Sequence, residues 1–152
     1  MKPAVSTIPT AERAQVAALP LTFGDDGAPR VLLLTSRETR RWVIPKGWPM
    51  RGRKPYEAAA REALEEAGVT GHMSKKPIGS YVYFKRLDGH FDYCQVDVYP
   101  LWVDKQLKSW RERGQRELRW FTIEEAAELV QEPGLVALLR ELVRTGVGEN
   151  AR

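Results

Sequence analysis

The sequence predicts a mixed α/β (α+β) fold, in which helices cover a β-sheet. Segments with the composition of strands outnumber helical ones, an Ala- and Glu-rich helical segment lies between them, and an amphipathic segment closes the chain. The length of 152 residues suits one ordinary domain, and 43% apolar with 29% charged residues is typical of globular proteins. We therefore expect a single domain over residues 1–152, with flexible ends at about 1–12 and 147–152.

Three strands are predicted in the first third of the chain. Residues 16–23 and 30–36 are rich in aliphatic side chains, and the Gly, Asp and Pro residues between them are typical of a hairpin connection. A third, short strand over residues 41–45 should end at Pro45, which has no N–H to donate.

The next segment predicts a helix that begins near Pro55 and ends near Gly68. Proline suits a first helical turn, most of the residues that follow are good helix formers, and Gly68 stands where a C-terminal cap belongs.

A second hairpin is predicted from two strands, residues 77–84 and 91–103, which flank the turn-like residues 85–90. Within the second strand, Cys94, Val96 and Val98 alternate with polar and aromatic residues, which is the period of a strand. Cys94 is therefore expected to be a buried packing residue rather than a nucleophile.

The C-terminal part predicts a short strand followed by two helices. Residues 118–121 form the strand, and Thr122 and Glu125 have the spacing of a capping box that opens the first helix. Residues 134–146 have the apolar spacing of an amphipathic helix.

The charge distribution favours an anionic partner. The net charge is +4 and the pI about 9.3, which does not distinguish a nucleic acid from a small polyphosphate. Residues 37–54 hold seven Lys or Arg residues against one acid. A solvated basic surface is the plain alternative to a binding site there.

The sequence also predicts a soluble, cytoplasmic protein without a membrane partner. No apolar run approaches the length of a membrane-spanning helix, residues 1–15 lack the apolar core of a signal peptide, and the single cysteine has no partner for an internal disulfide.

Three glutamates share one face of the predicted central helix. Residues three and four positions apart are neighbours on a helix, so Glu62, Glu65 and Glu66 form a compact group of like charges. A cation would relieve their repulsion, and Mg²⁺ prefers hard oxygen ligands. The alternative is an ordinary surface helix, in which Arg61 pairs with Glu57 or Glu65.

This segment resembles the Nudix box, a pattern of fixed Gly, Glu and Arg residues with two apolar positions. The resemblance implies an α/β/α sandwich with a mixed β-sheet and the catalytic helix packed on it, and hydrolysis of a diphosphate linked to a further group. The matching positions are Gly47, Arg61, Glu62, Ala63, Glu65, Glu66, Gly68 and Val69.

Roles follow from the resemblance residue by residue. It implies that Glu62, Glu65 and Glu66 bind Mg²⁺, with Mn²⁺ as a possible substitute, and that the backbone carbonyl of Lys46 is a further ligand. It also implies that Glu65 is the general base and that Arg61 belongs to the catalytic group.

One position departs from the box, because Arg53 stands where the family has its first glutamate. In the family that carboxylate often bonds the box arginine, and Glu57, four residues before Arg61, is a candidate substitute. Arg53 also leaves a second hypothesis open, namely a catalytically weakened binding or regulatory module.

The flanking segments resemble the diphosphoinositol polyphosphate phosphohydrolase and diadenosine polyphosphate hydrolase subfamily. Diphosphoinositol polyphosphates and dinucleoside polyphosphates are therefore the expected substrates, an RNA 5′ end is a third polyanion that fits the charge, and the oligomeric state is open. Either Glu112 or Glu117 is expected to supply the extra loop carboxylate found in many family members. The predicted substrate-binding residues are Thr35, Ser36, Arg37, Arg41, Lys46 and Arg116.

Overall fold

The computed structural model describes residues 13–147. The flexible ends predicted at 1–12 and 147–152 lie outside this range, except for Val147, which packs partly buried against the core. In chain order the elements are β1 (Arg13–Phe23), β2 (Pro29–Thr35), β3 (Trp42–Val43), β4 (Lys46–Gly47), α1 (Pro55–Ala67), β5 (Val69–Met73), β6 (Gly79–Leu87), β7 (His90–Gln106), β8 (Leu118–Thr122), α2 (Ile123–Leu129) and α3 (Pro133–Thr145).

The strands form one mixed sheet. Its central path runs β3-β2-β1-β7-β5, while β4 pairs with β1, β6 with β7 and β8 with β2. The long strands β1 and β7 are parallel, and the other pairs are antiparallel. The predicted mixed sheet is thus confirmed.

Helices cover both faces of this sheet. Along β1, Ala17 and Leu19 join a core cluster that includes residues of α2 and α3, whereas Val16 and Ala18 join a second cluster that includes α1. Successive side chains of a strand point to opposite faces, so the two clusters lie on opposite sides of the sheet. The architecture is the predicted α/β/α sandwich.

The central helix, α1, begins and ends as predicted. Pro55 occupies its first turn, and Gly68 follows it in the left-handed conformation, with a φ of 66°. Its buried face is mostly alanine, which lets the helix lie close to the sheet. Because alanines fill that face, the larger acidic side chains are left at its border.

Two short strands, β4 and β5, were not predicted. Lys46–Gly47 follows Pro45 so closely that the sequence shows no strand period, and β5 contains Gly71 at an irregularity in its pairing with β7. Both strands depend on pairing with distant segments. The predicted turn at residues 85–90 is also largely strand, because β6 and β7 stay paired as far as Leu87 and His90.

The remaining local predictions are confirmed. Thr122 and Glu125 exchange the two hydrogen bonds of a capping box at the start of α2, and Cys94 is fully buried. None of the helices within residues 13–147 is long and apolar enough to cross a membrane.

Candidate active site

The glutamates of α1 lie beside the short strand β4. The side chain of Glu66 is buried and that of Glu62 half-buried. A Cβ atom placed on Gly47 would lie only 2.4 Å from the carboxylate carbon of Glu62. A side chain at this position would therefore displace the Glu62 carboxylate from its place beside the Gly47 backbone.

The Glu62 and Glu66 carboxyls interact directly. Burial raises the pKa of both, and raises that of Glu66 to about 8 despite the opposing charge of Arg116. Each carboxyl lies within hydrogen-bonding reach of the other. Burial and the neighbouring carboxyl therefore both disfavour the ionised form of Glu66.

Glu65 forms ion pairs with two arginines. Its Oε2 accepts a hydrogen bond from Arg61 Nε at 2.7 Å, and Arg111 lies 3.9 Å from its other oxygen. Among residues 13–147, no three acidic, His or Cys side chains already converge on one point that a metal ion could occupy. Glu62, Glu65 and Glu66 are therefore adjacent, but only two of the carboxyls meet.

A divalent cation fits the donors that do meet. Glu62, Glu66 and the Lys46 backbone offer only oxygen ligands, the kind Mg²⁺ and Mn²⁺ accept, and the close approach at Gly47 keeps that backbone near the Glu62 carboxylate. The assignment of Glu62, Glu65, Glu66 and the Lys46 carbonyl as metal ligands stays a prediction.

Glu57 does not replace the missing box glutamate. Its carboxylate accepts a hydrogen bond at 2.8 Å from the backbone N–H of Lys54 and so caps the start of α1. Arg61 pairs with Glu65 instead, the second of the two partners that the sequence predicted for it. Arg53 is exposed and lines a small pocket with Tyr56, outside the cleft that Glu66 enters.

The loop over residues 107–117 closes on the end of α1. Gln106 donates to the carbonyls of Ala67 and Gly68, and the N–H of Glu112 donates to the carbonyl of Glu65. These bonds satisfy carbonyls that the helix end would leave unpaired. Trp110 covers Gly68 so closely that a Cβ there would lie 2.3 Å from its ring.

This loop brings Glu112, rather than Glu117, to the carboxylate group. Glu112 is largely buried and acts on the pKa of both Glu62 and Glu66. Glu117 is half exposed and lies 3.7 Å from Arg119. The geometry therefore favours Glu112 of the two predicted candidates.

Arg116 links the loop to the helix and to β2. Its Nε donates to Glu112 at 2.8 Å, one terminal nitrogen donates to the carbonyl of Thr35, and the other lies 3.9 Å from Glu66. The Thr35 hydroxyl is buried and accepts a hydrogen bond from the N–H of Glu117. Arg116 and Thr35 thus order the floor of the site, and direct contact of Thr35 with a substrate stays a prediction.

A cleft of about 1270 Å³ opens above this floor. It is larger than the roughly 300–1,000 Å³ of common small-molecule sites, which favours an extended ligand. Lys85 and Arg86 line it as well; from the sequence they were weaker candidates, because the hairpin length there does not align cleanly with the family and ordinary surface charge explained them equally well. The predicted substrate-binding residues that line the cleft are Ser36, Arg37, Arg41, Lys46 and Arg116.

The turn between β2 and β3 holds the predicted phosphate-binding residues in place. Ser36 bonds the backbone N–H of Arg41 and the hydroxyl of Thr39, while Arg41 reaches the side chain of Gln131. Arg40 takes a left-handed φ of 57° within this turn. Arg37 is exposed and donates a hydrogen bond to the side chain of Gln115.

Lys46 contributes both backbone and side chain. As part of β4, its backbone pairs with Ala17 of β1. Lys46 is not among the described residues with positive φ, so a lysine at this position causes no backbone strain. Its ammonium lies over the ring of Tyr83 inside the cleft, where burial lowers its pKa. The basic residues at 51, 53 and 54 do not line the cleft, so only part of the predicted basic segment lies in the site.

A NUDIX domain family model matches residues 12–144. The chain belongs to the Nudix family.

Two curated relatives illustrate the match. Nudix hydrolase 12, mitochondrial, from Arabidopsis thaliana is 35% identical over 118 residues, which are 75% of this chain and 58% of that protein. Diphosphoinositol polyphosphate phosphohydrolase 3-beta from Bos taurus is 33% identical over 119 residues, 73% of this chain and 66% of that protein. The chain thus spans less than two thirds of the length of either relative.

The fold is also that of solved structures. A C. elegans Ap4A hydrolase in a binary complex superposes with a TM-score of 0.65 over 88% of this chain and 96% of that one, at 20% identity. A Nudix hydrolase from Nitrosomonas europaea gives 0.65 over 88% and 89%, also at 20% identity. At this identity the likeness supports the fold alone.

Proposed function

We propose that the protein is a Mg²⁺-dependent hydrolase that cleaves a phosphoanhydride bond in a highly anionic polyphosphate. The observation that supports this most is the pair of interacting carboxyls formed by half-buried Glu62 and buried Glu66, of which Glu66 lines a large cleft with basic walls. A binding module gains nothing from keeping buried carboxyls that repel each other, whereas a cation site requires them. The hydrolase is therefore preferred to the catalytically weakened binding module.

In this proposal Glu62, Glu66 and the carbonyl of Lys46 hold the cation. When bound, Mg²⁺ neutralises phosphate charge and makes a water molecule more acidic. Glu112 adds a carboxylate from the loop over residues 107–117. Arg116 balances the negative charge while the site is free of substrate.

Glu65 serves as the general base, and Arg61 holds it ready. The ion pair between Arg61 and Glu65 fixes the position of the base on α1. A proton leaves the attacking water for Glu65 as the new bond to phosphorus forms and the anhydride oxygen departs.

Substrate phosphates bind along the basic wall formed by Ser36, Arg37, Arg41 and the ammonium of Lys46. Arginine suits such contacts, because its planar group donates two parallel hydrogen bonds to a phosphate. Diphosphoinositol polyphosphates and dinucleoside polyphosphates both fit this charge. The Bos taurus relative is named for the first class of substrate, and the C. elegans structure is named for a member of the second.

The cytoplasm is the proposed location. Names of several plant relatives place those proteins in mitochondria, for example Nudix hydrolases 12 and 13 of Arabidopsis thaliana.

The test is a panel of polyphosphates assayed with and without Mg²⁺ or Mn²⁺. Wild type should release phosphate from at least one of them only when the cation is present. Glu65→Gln should lower kcat by about 10²–10⁴-fold, the usual contribution of a general base. Glu124→Gln, an exposed change on α2, serves as the matched control and should leave kcat unchanged.

Two outcomes contradict the proposal. If folded wild type binds the polyphosphates and hydrolyses none, the protein is a binding module. If Glu65→Gln hydrolyses them at the wild-type rate, Glu65 is not the base.

A further inference from the structure

A second pocket lies beside α1, outside the cleft. This Arg53 pocket has a volume of about 380 Å³ and is lined by residues of α1 and of β5, the strand at one end of the central path of the sheet, together with Arg53 and Leu101. Its volume falls within the roughly 300–1,000 Å³ of common small-molecule sites. Its larger apolar side chains are those of Tyr56, Leu64, Val69, Met73 and Leu101. The pocket can therefore take a small apolar group.

Helix geometry separates this pocket from the Glu62–Glu66 pair. At about 3.6 residues per turn, Ala60 and Leu64 project from the side of α1 opposite to that pair. Arg61 lies between the two sides, where it bonds Glu65, and it lines the pocket as well. None of the described residues that line the Arg53 pocket also lines the cleft. The pocket is thus a separate site that meets the carboxylates of α1 only through Arg61.

Two arginines give the pocket a positive edge. Within residues 13–147, no hydrogen bond or ion pair involves the side chain of Arg53. Arg61 bonds Glu65 through its Nε, and neither of its terminal nitrogens donates to another described residue. An arginine can donate two parallel hydrogen bonds to a carboxylate or a phosphate. Donors thus remain at this edge for an anion.

The charges around the pocket favour a ligand with a single negative charge. Glu57 is the one acid among the described residues that line it, and its carboxylate already accepts the hydrogen bond that caps the start of α1. Two arginines against one glutamate leave a charge of +1. A polyphosphate has several charges and no apolar part, so it suits the basic wall of the cleft and not this pocket.

We propose that the Arg53 pocket binds a small apolar monocarboxylate and that the bound ligand slows hydrolysis. The apolar part of the ligand covers Val69, Met73 and Leu101, and its carboxylate bonds the two arginines at the edge. Arg61 then has a second anionic partner besides Glu65, which weakens its hold on the proposed base. Binding is independent of the proposed function, and only the effect on the rate rests on it.

The test uses octanoate as the probe, below the concentration at which it forms micelles. The variants are Arg53→Gln, which removes the charge, and Ala60→Leu, which fills part of the pocket and keeps a good helix former on α1. Arg51→Gln is the matched control, because Arg51 is also an exposed arginine but lines neither the pocket nor the cleft. Circular dichroism and thermal unfolding check that each variant is folded.

The first measurement is binding by calorimetry, independent of turnover. Arg53→Gln and Ala60→Leu should each bind octanoate roughly fivefold or more weakly than wild type, because the first loses a charged hydrogen bond and the second the space for the chain. Arg51→Gln should bind it as wild type does. Acetate, which lacks the chain, and octanol, which lacks the charge, should both bind wild type more weakly than octanoate does.

The second measurement is hydrolysis of the best substrate of the polyphosphate panel, with and without octanoate. In wild type, saturating octanoate should lower kcat by about twofold or more, because the base is held less firmly. It should leave KM unchanged, because the pocket and the cleft share no described lining residue. Arg53→Gln should keep the wild-type rate without octanoate and need more octanoate for the same inhibition. If wild type hydrolyses no polyphosphate, the proposed function fails, and the calorimetric test of the pocket still stands.

Equal octanoate affinity in wild type, Arg53→Gln and Ala60→Leu would overturn the inference. Equal weakening in Arg51→Gln would also overturn it, because octanoate would then be attracted to basic surface in general, as would octanol that binds as tightly as octanoate. Octanoate that binds the pocket and leaves kcat unchanged would contradict the link through Arg61. If wild type binds no octanoate and sedimentation shows a dimer that Ala60→Leu makes monomeric, the pocket is a contact between copies of the chain instead.

Discussion

At the scale of single residues, the pair Glu62 and Glu66 accounts for the character of the site. Only 8% of the surface of Glu66 is exposed, so its carboxyl is costly to ionise, and its raised pKa reflects that cost. The pairing of Arg61 with Glu65 shows how the chain arranges its charges without the box glutamate that Arg53 replaces. Arg53 itself is exposed outside the cleft, so the substitution leaves the basic wall intact.

The raised pKa of Glu66 predicts how stability depends on pH without metal. Between the ordinary value of 4.5 and about 8, the folded protein holds a proton on Glu66 that the unfolded chain does not. Stability from this group is therefore complete below pH 4.5 and falls as pH rises towards 8 and above. Glu66→Gln should reduce this fall and be on the order of 2 kcal/mol more stable than wild type at pH 8.5.

Urea unfolding with a chelator, at pH 5 and at pH 8.5, measures this effect. Adding Mg²⁺ at pH 8.5 should stabilise wild type and leave Glu66→Gln nearly unchanged. Equal pH dependence in the two proteins would show that Glu66 is not the group responsible.

At the scale of elements, the loop over residues 107–117 and α1 act as a unit. The carbonyls of Glu65, Ala67 and Gly68 accept hydrogen bonds from Glu112, Gln106 and Leu107, respectively. Trp110 covers Gly68. This packing fixes Glu112 and Arg116 relative to Glu66. Trp110 is thus a positioning residue, which acts on the carboxylates through the loop.

Removing the Trp110 ring should loosen the site more than the fold. Trp110→Ala should lower kcat by about tenfold and raise the Mg²⁺ concentration needed for half-maximal activity, because small displacements of catalytic groups cost large factors in rate. Trp110→Phe should restore most of both. Steady-state assays over a Mg²⁺ series measure the two effects, and wild-type values for Trp110→Ala would contradict the role.

Sequence reasoning succeeded where the signal was local. The bounds of α1, the capping box at Thr122 and the burial of Cys94 each depend on neighbours within a few residues. It failed for β4 and β5, which are too short for a period and exist through pairing with β1 and β7. The choice between Glu112 and Glu117 likewise needed the loop path, which no local pattern encodes.

At the scale of the whole molecule, the sandwich explains why one cleft collects residues from distant parts of the chain. The parallel pair β1–β7 forms the middle of the sheet, α1 covers one face, and α2 with α3 covers the other. Ser36, Lys46, Glu66, Arg86 and Arg116 reach the same cleft from five different segments. The resemblance to the family predicted Ser36, Lys46, Glu66 and Arg116 for one site, which charge and periodicity alone do not.

The resemblance of residues 47–69 to the Nudix box predicted the fold better than composition or periodicity did. Those residues fix a glycine beside a carboxylate and a helix of set length, and such a unit fits only one place in the sandwich.

The measurement that tests the central claim most directly is equilibrium binding of Mn²⁺, followed by electron paramagnetic resonance. If Glu62 and Glu66 form a divalent cation site, Glu62→Gln and Glu66→Gln should each weaken Mn²⁺ binding by about tenfold or more, and Mg²⁺ should compete in wild type. Glu128→Gln, an exposed change on α2, should bind as wild type does. Wild-type affinity in both site variants would contradict the account.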